Sequence, residues 1–241
     1  MHGKTKVLVF ENTEQRTQCD IYLRGECLEQ VNDFVYLGSL FSRDGIIDKE
    51  IERRVNAGRR VVGVMNGIAR NKGLSRKARL AIYNGMLVPT LMYGSETWIQ
   101  QRKHKSRITA VEMQYLRAVC GKTRRDRVRN DWVLEQCDIK DSVVDRMGRA
   151  TLRWFGHIER MNEERLTRRI YVGSVEGKKM RGRPRRQWLQ HVDDVMKERG
   201  IRSERNNRAC RRDVMSVDEA RRVCGDREKW ESLIYSVTAH P

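Results

Sequence analysis

The chain has 241 residues, with 50 Lys and Arg against 32 Asp and Glu, a formal net charge of +18 and a pI near 10.1. A charge of that size repels itself on compaction and points to a polyanionic partner, with nucleic acid ahead of an anionic membrane surface. No apolar run is long enough for a membrane span, and no signal or lipidation motif is read. The chain is therefore expected to be soluble and intracellular, with no membrane and no small-molecule partner.

Residues 4–10 form an apolar, β-branched run, followed by strand-like stretches at Cys19 to Leu23 and Val31 to Phe41, with a turn signal at Arg24-Gly25-Glu26. Two or three antiparallel strands are too little sheet to stand alone, so this part is expected to pack on helices or on a missing neighbour. The chain opens at once on strand-forming sequence, as a truncated protein would. From Asp48, placed to cap a helix, the period changes: Ile51, Val55, Gly58, Val62 and Met65 fall on one helical stripe. Ser75 is the expected cap of a second helix through Leu80, Tyr83 and Leu87, which Pro89 should end or kink. A third helix runs from near Lys105 to Gly121 with Ile108, Val111, Tyr115 and Val119 in register.

Residues 122–131 read as a charged connection. A fourth helix carries Val144, Met147, Thr151, Trp154 and Ile158 on one stripe. Residues 173–186 lack an apolar period and are expected to form an exposed loop. Trp188, Val192 and Val195 begin another helix, and two short helices are predicted around Gly225. The six cysteines (Cys19, Cys27, Cys120, Cys137, Cys210 and Cys224) contain no C-x-x-C pair. They are expected to be free thiols that pack as small hydrophobes. A zinc site from Cys120, Cys137 and His157 would need gaps of 17 and 20 positions, which follow no ligand rule, so no metal site is assigned. Core anchoring is preferred to base stacking for Trp98, Trp188 and Trp230, and no catalytic triad is discernible.

The run Phe34-Val35-Tyr36-Leu37-Gly38-Ser39-Leu40-Phe41-Ser42-Arg43-Asp44-Gly45 resembles a segment of LINE-type (non-LTR) retrotransposon reverse transcriptases. Further pieces resemble the same family in the same order. They are Lys4-Thr5-Lys6, Glu50 to Ala57, Leu91-Met92-Tyr93-Gly94-Ser95-Glu96-Thr97-Trp98, Leu152 to Met161, Arg181-Gly182-Arg183-Pro184-Arg185, and Asp226 to Trp230. The resemblance implies a piece of an endonuclease–reverse transcriptase downstream of its catalytic aspartates. Catalytic residues are therefore not expected in this chain, nor a cofactor, magnesium belonging to the complete parent polymerase.

On this reading the fold is mainly α. A short antiparallel β segment at the end of a polymerase palm spans 1–46, a helical thumb 47–121, and a basic helical C-terminal domain 122–241. The turn Tyr36-Leu37-Gly38-Ser39 resembles a primer grip, with Gly38 allowing close backbone approach. Lys4 is similar to a lysine beside the leaving pyrophosphate. Arg53, Arg54, Arg59 and Arg60 are the candidate thumb contacts to phosphate, because a guanidinium offers two parallel donors.

Residues 178–186 carry six cations in nine positions: Lys178, Lys179, Arg181, Arg183, Arg185 and Arg186, with Gly182 and Pro184 between them. Arg-Gly-Arg-Pro resembles the core of an AT-hook, an extended segment that lies in a narrow A·T minor groove. The expected function is the holding of RNA, DNA or their hybrid as template and primer, with the nucleus as the main location. A stand-alone DNA- or chromatin-binding protein using the 178–186 loop is the alternative.

Overall fold

The computed structural model describes residues 5–11, 16–173, 186–202 and 214–236. As expected, the fold is mainly helical with a little antiparallel sheet at the start. β1 (Tyr22–Leu23) pairs with β2 (Glu26–Cys27), and β3 (Asp33–Tyr36) pairs with β4 (Ser39–Ser42). Both connections are two residues long with positive φ, 53° and 84° at Arg24 and Gly25, and 46° and 82° at Leu37 and Gly38. That pattern matches the right-handed twist of a hairpin. The strand expected over residues 4–10 is reduced to a single parallel bridge from Val7 to Gln30. An apolar, β-branched run makes a strand only where a neighbour offers it a ladder, and Phe10 here is left exposed.

α1 (Asp48–Arg70) buries Ile51, Val55, Gly58 and Val62 of the stripe read from the sequence, with Met65 half-buried, and it also buries Ala69. Asp48 is not its cap: Ile47 holds that position without a side-chain bond. The Asp48 carboxylate instead binds Lys103 and lies 2.9 Å from His104 Nε2. The Lys103 hydrogen bond holds it below the usual carboxylate range. α2 (Arg76–Ile82) begins as expected, with Ser75 Oγ accepting from the Ala78 N–H at 3.1 Å. The chain does not stop near Pro89 but passes through a π-helical turn, Tyr83–Leu87, into α3 (Val88–Met92), with Pro89 in its first turn. Then come α4 (Arg102–Val119), α5 (Asn130–Gln136), α6 (Val143–Glu159), α7 (Leu166–Val172), α8 (Trp188–Glu198), α9 (Val217–Cys224) and α10 (Arg227–Ser236).

Two apolar clusters hold these helices. The first gathers α1, α3 and α4 and continues through Val133, Leu134, Cys137, Val143 and Met147, beyond the connection at 122–131. The second runs from Leu152 to Ile234, so α6 contributes to both. Gly58 makes the first cluster possible. A Cβ there would sit 2.6 Å from Leu91 Cδ2 and 3.2 Å from Val111, so only hydrogen lets α3 and α4 approach α1 this closely.

Glu112, fully buried on α4, accepts from the Tyr83 hydroxyl at 2.6 Å and from the Val143 N–H at 2.9 Å. It thereby ties the π-helical turn and the start of α6 to α4. Burial pushes its carboxyl pKa up, the charged form losing its hydration. In the second cluster Trp230 Nε1 donates to the Leu152 carbonyl at 3.0 Å, and the indole lies against Gly156. Trp98 and Trp230 are buried, and Trp188 donates to the Glu96 carbonyl at 3.1 Å, so these three serve packing.

His191 on α8 is buried, and desolvation, followed by Lys105 and Arg186, lowers its pKa from 6.5 to about 4. The folded chain therefore binds fewer protons here than the unfolded chain between these values. Stability contributed by the neutral ring is complete above pH ~6.5 and is lost as pH falls toward ~4. His191→Leu is expected to remove about 2 kcal/mol of the stability change between pH 7 and pH 5, read as the difference in urea midpoints. An unchanged pH dependence in the variant would show that His191 is not the titrating group.

Candidate nucleic-acid interface

The structure brings several of the sequence-predicted residues together, but into an internal knot. The Leu37-Gly38 turn leans on α1: Arg53 and Arg54 both donate to the Gly38 carbonyl. Their Nε groups reach Glu50, which is 3% exposed, at 2.9 and 2.7 Å. Glu50 also accepts from the Leu40 N–H at 2.9 Å. Tyr93 closes the knot, its hydroxyl donating to the Leu37 carbonyl at 2.6 Å and its ring lying 4.5 Å from the Arg54 guanidinium. Tyr36 and Leu37 are exposed, Ser39 is half-buried, and a Cβ on Gly38 would meet only the Tyr93 ring at ordinary contact distance. Arg53 and Arg54 thus each commit Nε and Nη2 to holding the turn. A pair of adjacent arginines reads the same in sequence whether it faces a phosphate or a carbonyl.

Arg54→Ala is expected to lower stability by about 2–3 kcal/mol, because it uncouples buried Glu50 from one cation and removes a donor from Gly38. Tyr93→Phe should cost about 1 kcal/mol. Arg60→Ala, at an exposed position of α1, should stay within about 0.5 kcal/mol. Urea unfolding of the three variants checks this order, and equal effects for Arg54 and Arg60 would contradict it.

A different surface has the character of a polyanion site. An open groove of about 950 Å³ runs between α1, α4 and the segment after α4. Arg59 and Arg70 of α1 form one wall, Arg102, Lys105 and Arg117 of α4 the floor, and Lys122, Arg124 and Arg127 the far end. Eight cations line it, and no Asp or Glu among the described residues does. Ser106, Thr109, Gln114, Thr123 and Asn130 supply neutral polar groups.

The local sequence explains the arrangement. Buried Ile108, Val111, Tyr115 and Leu116 turn one face of α4 inward, which leaves Arg102, Lys105, Thr109 and Arg117 facing the groove. The far end is a 3₁₀ turn, Arg124–Asp126, fixed by a capping box: Asp126 Oδ2 accepts from the Thr123 N–H at 2.6 Å and from its hydroxyl at 2.7 Å. The Thr123 bonds hold the Asp126 carboxyl below its ordinary value. Arg117 donates to the Val128 carbonyl at 3.2 Å and to Asn130 Oδ1 at 2.6 Å, tying the end of the segment to α4.

Several groove cations bond neutral partners, as with Arg59 to Asn56 Oδ1 at 3.1 Å and Arg70 to Asn66 Oδ1 at 3.1 Å, so those contacts orient a guanidinium without cancelling its charge. Lys105 also reaches Glu198 on α8.

Of the predicted contacts, Arg59 lines this groove, Arg60 is exposed on α1 away from it, and Arg53 and Arg54 belong to the knot. Lys4, Lys178, Lys179, Arg181, Gly182, Arg183, Pro184 and Arg185 lie outside the described residues. Arg186, just before α8, pairs with Asp194 in the middle of that helix. Sequence reasoning did not single out Arg70, Arg102, Lys105, Arg117, Lys122, Arg124 and Arg127, which line the groove. The available signal was the polar face of α4 leading into a run of arginines with a single acid. His157 does not join Cys120 and Cys137; its ring lies tilted against Trp154, centroids 5.4 Å apart. Among the described residues no group of three His, Cys, Asp or Glu side chains is placed to hold a metal ion.

The fold and this surface describe a mainly helical, strongly basic chain with an open cationic groove. No family model matches the chain, and no solved structure matches it. It is similar to a putative uncharacterized transposon-derived protein of Caenorhabditis elegans, 25% identical over 180 residues, or 68% of this chain. The chain spans 60% of the length of that relative.

Proposed function

We propose that this chain is a transposon-derived nucleic-acid-binding fragment, the part of a LINE-type reverse transcriptase that grasps template and primer. The groove carries the reading: eight cations converge on it with no lining acid among the described residues. An acid-free basic cleft attracts phosphate backbones without regard to base sequence. The +18 net charge and the similarity to a transposon-derived protein support it. Binding is expected to be sequence-tolerant for RNA, DNA or their hybrid, in the nucleus, and polymerisation is not assigned to this chain.

The test is fluorescence anisotropy with a labelled RNA–DNA hybrid, duplex DNA and single-stranded RNA across a salt series. Micromolar or tighter binding is expected, and if all eight cations meet phosphates the log–log salt slope approaches about −7. Absence of binding at low salt overturns the reading. A marked preference for A·T duplex would transfer it to the Arg181-Gly182-Arg183-Pro184 segment.

A further inference from the structure

Cys120 and Cys137 lie far apart in sequence and meet in space. Cys120 follows the last turn of α4, Cys137 follows the last turn of α5, and their sulfurs are 3.4 Å apart. Cys120 is half-buried and Cys137 fully buried. Two arginines of α2 hold the peptide just before each thiol. Arg79 donates to the Val119 carbonyl at 2.8 Å, and Arg76 donates to the Gln136 carbonyl at 2.6 Å. Each sulfur sits at a helix C-terminus, where the helix dipole opposes a thiolate; the guanidiniums supply positive charge there.

From this geometry we infer that Cys120 and Cys137 form a reversible thiol–disulfide site, with Cys120 as the reactive thiol and Cys137 as the resolving one. A disulfide needs the sulfurs about 1.4 Å closer than they stand. The Cys137 hydrogen bond, then the charges of Arg76 and Arg79, lower the Cys120 pKa, while the Cys120 contact and burial raise that of Cys137. Cys120 is also the sulfur an oxidant can reach, being half-buried where Cys137 is fully buried.

With a peroxide as oxidant, the Cys120 thiolate attacks one peroxide oxygen. An S–O bond forms, the O–O bond breaks and hydroxide leaves, so sulfur is oxidised to the sulfenic acid and peroxide is reduced. The Cys137 thiol then attacks the Cys120 sulfur. The S–S bond forms, the S–O bond breaks, and water leaves carrying the Cys137 proton. A dithiol reductant reverses the link. The closed loop encloses residues 121–136, so Lys122, Arg124 and Arg127 become tethered at both ends.

The experiment treats the full reduced chain with hydrogen peroxide, blocks remaining thiols by alkylation, and maps tryptic peptides by mass spectrometry without reduction. Trypsin cuts between the two cysteines, so the link appears as a joined peptide pair. A Cys120–Cys137 pair about tenfold more abundant than any other pairing is expected, and it should disappear on adding a dithiol. In Cys137→Ser, Cys120 should accumulate as a sulfenic acid captured by a dimedone probe. Links scattered over the other cysteines, Cys120 carried to sulfinic acid without a link, or two untouched thiols would each overturn the site. The readout uses no nucleic acid, so its failure leaves the groove reading standing, and the reverse.

Discussion

Replacing Lys122, Arg124 and Arg127 by alanine is expected to weaken binding of an RNA–DNA hybrid by about a hundredfold at moderate salt. The three residues line the far end of the groove, on a segment fixed by the Thr123 and Asp126 capping box rather than by their own side chains. Their removal should therefore leave the fold intact. Deleting one phosphate-binding cation makes the log–log salt slope shallower by about 0.9, so the triple variant should shed about 2–3 from the slope. Arg53→Ala alone should change the slope by less than the triple variant does, because Arg53 lies outside the groove and commits its Nε and Nη2 to Glu50 and Gly38. Anisotropy titrations at several salt concentrations measure both. If the triple variant binds as wild type and Arg53→Ala does not, the interface lies at the hairpin turn instead of in the groove.

Gly156→Ala is expected to cost about 3 kcal/mol and to loosen the C-terminal helices. A Cβ on Gly156 would lie 2.4 Å from both Cδ1 and Nε1 of Trp230. The indole cannot yield without giving up its bond to the Leu152 carbonyl and its packing on Phe155, 5.9 Å away between ring centroids. Overpacking and the broken buried bond each contribute about 1–3 kcal/mol. Gly63→Ala in α1 is the control. A Cβ there meets nothing within 4 Å, and the better helix propensity should raise stability by about 0.5–1 kcal/mol. Urea midpoints and tryptophan fluorescence report both changes. A Gly156 variant as stable as wild type would mean that α6 and α10 separate at little cost.

Much of the fold is legible in the sequence. The α1 stripe, the Ser75 cap, the turn at Arg24-Gly25 and the pair of helices around Gly225 follow from periodicity and turn chemistry, which act locally. α5 is not legible, because in seven residues its apolar Trp132, Val133 and Leu134 stand side by side and show no helical period. α7 escapes for a related reason: Leu166, Ile170 and Val172 are all exposed, so no buried stripe marks it.

The groove is hidden more deeply. Its cations come from two helices and a connecting segment, and residues 122–131 taken alone look like a solvated linker. Arg53 and Arg54 hold a second feature that their sequence does not show. Their charge is evident, but burial of Glu50 beneath them depends on where the hairpin folds back, a long-range fact no local pattern carries.

The π-helical turn at Tyr83–Leu87 has a consequence for how this chain tolerates insertion and deletion. One additional residue in a helical turn rotates everything beyond it by about 100° relative to an unbroken α-helix. The turn therefore acts as a phase setter between α2 and α3. It lets the Ser75-capped helix keep its own face while Leu91 swings round to fill the hollow above Gly58. Losing a single residue between Tyr83 and Leu87 would move Leu91 off that hollow although every packing side chain remained the same. In this stretch the number of residues is constrained more tightly than their chemical identity.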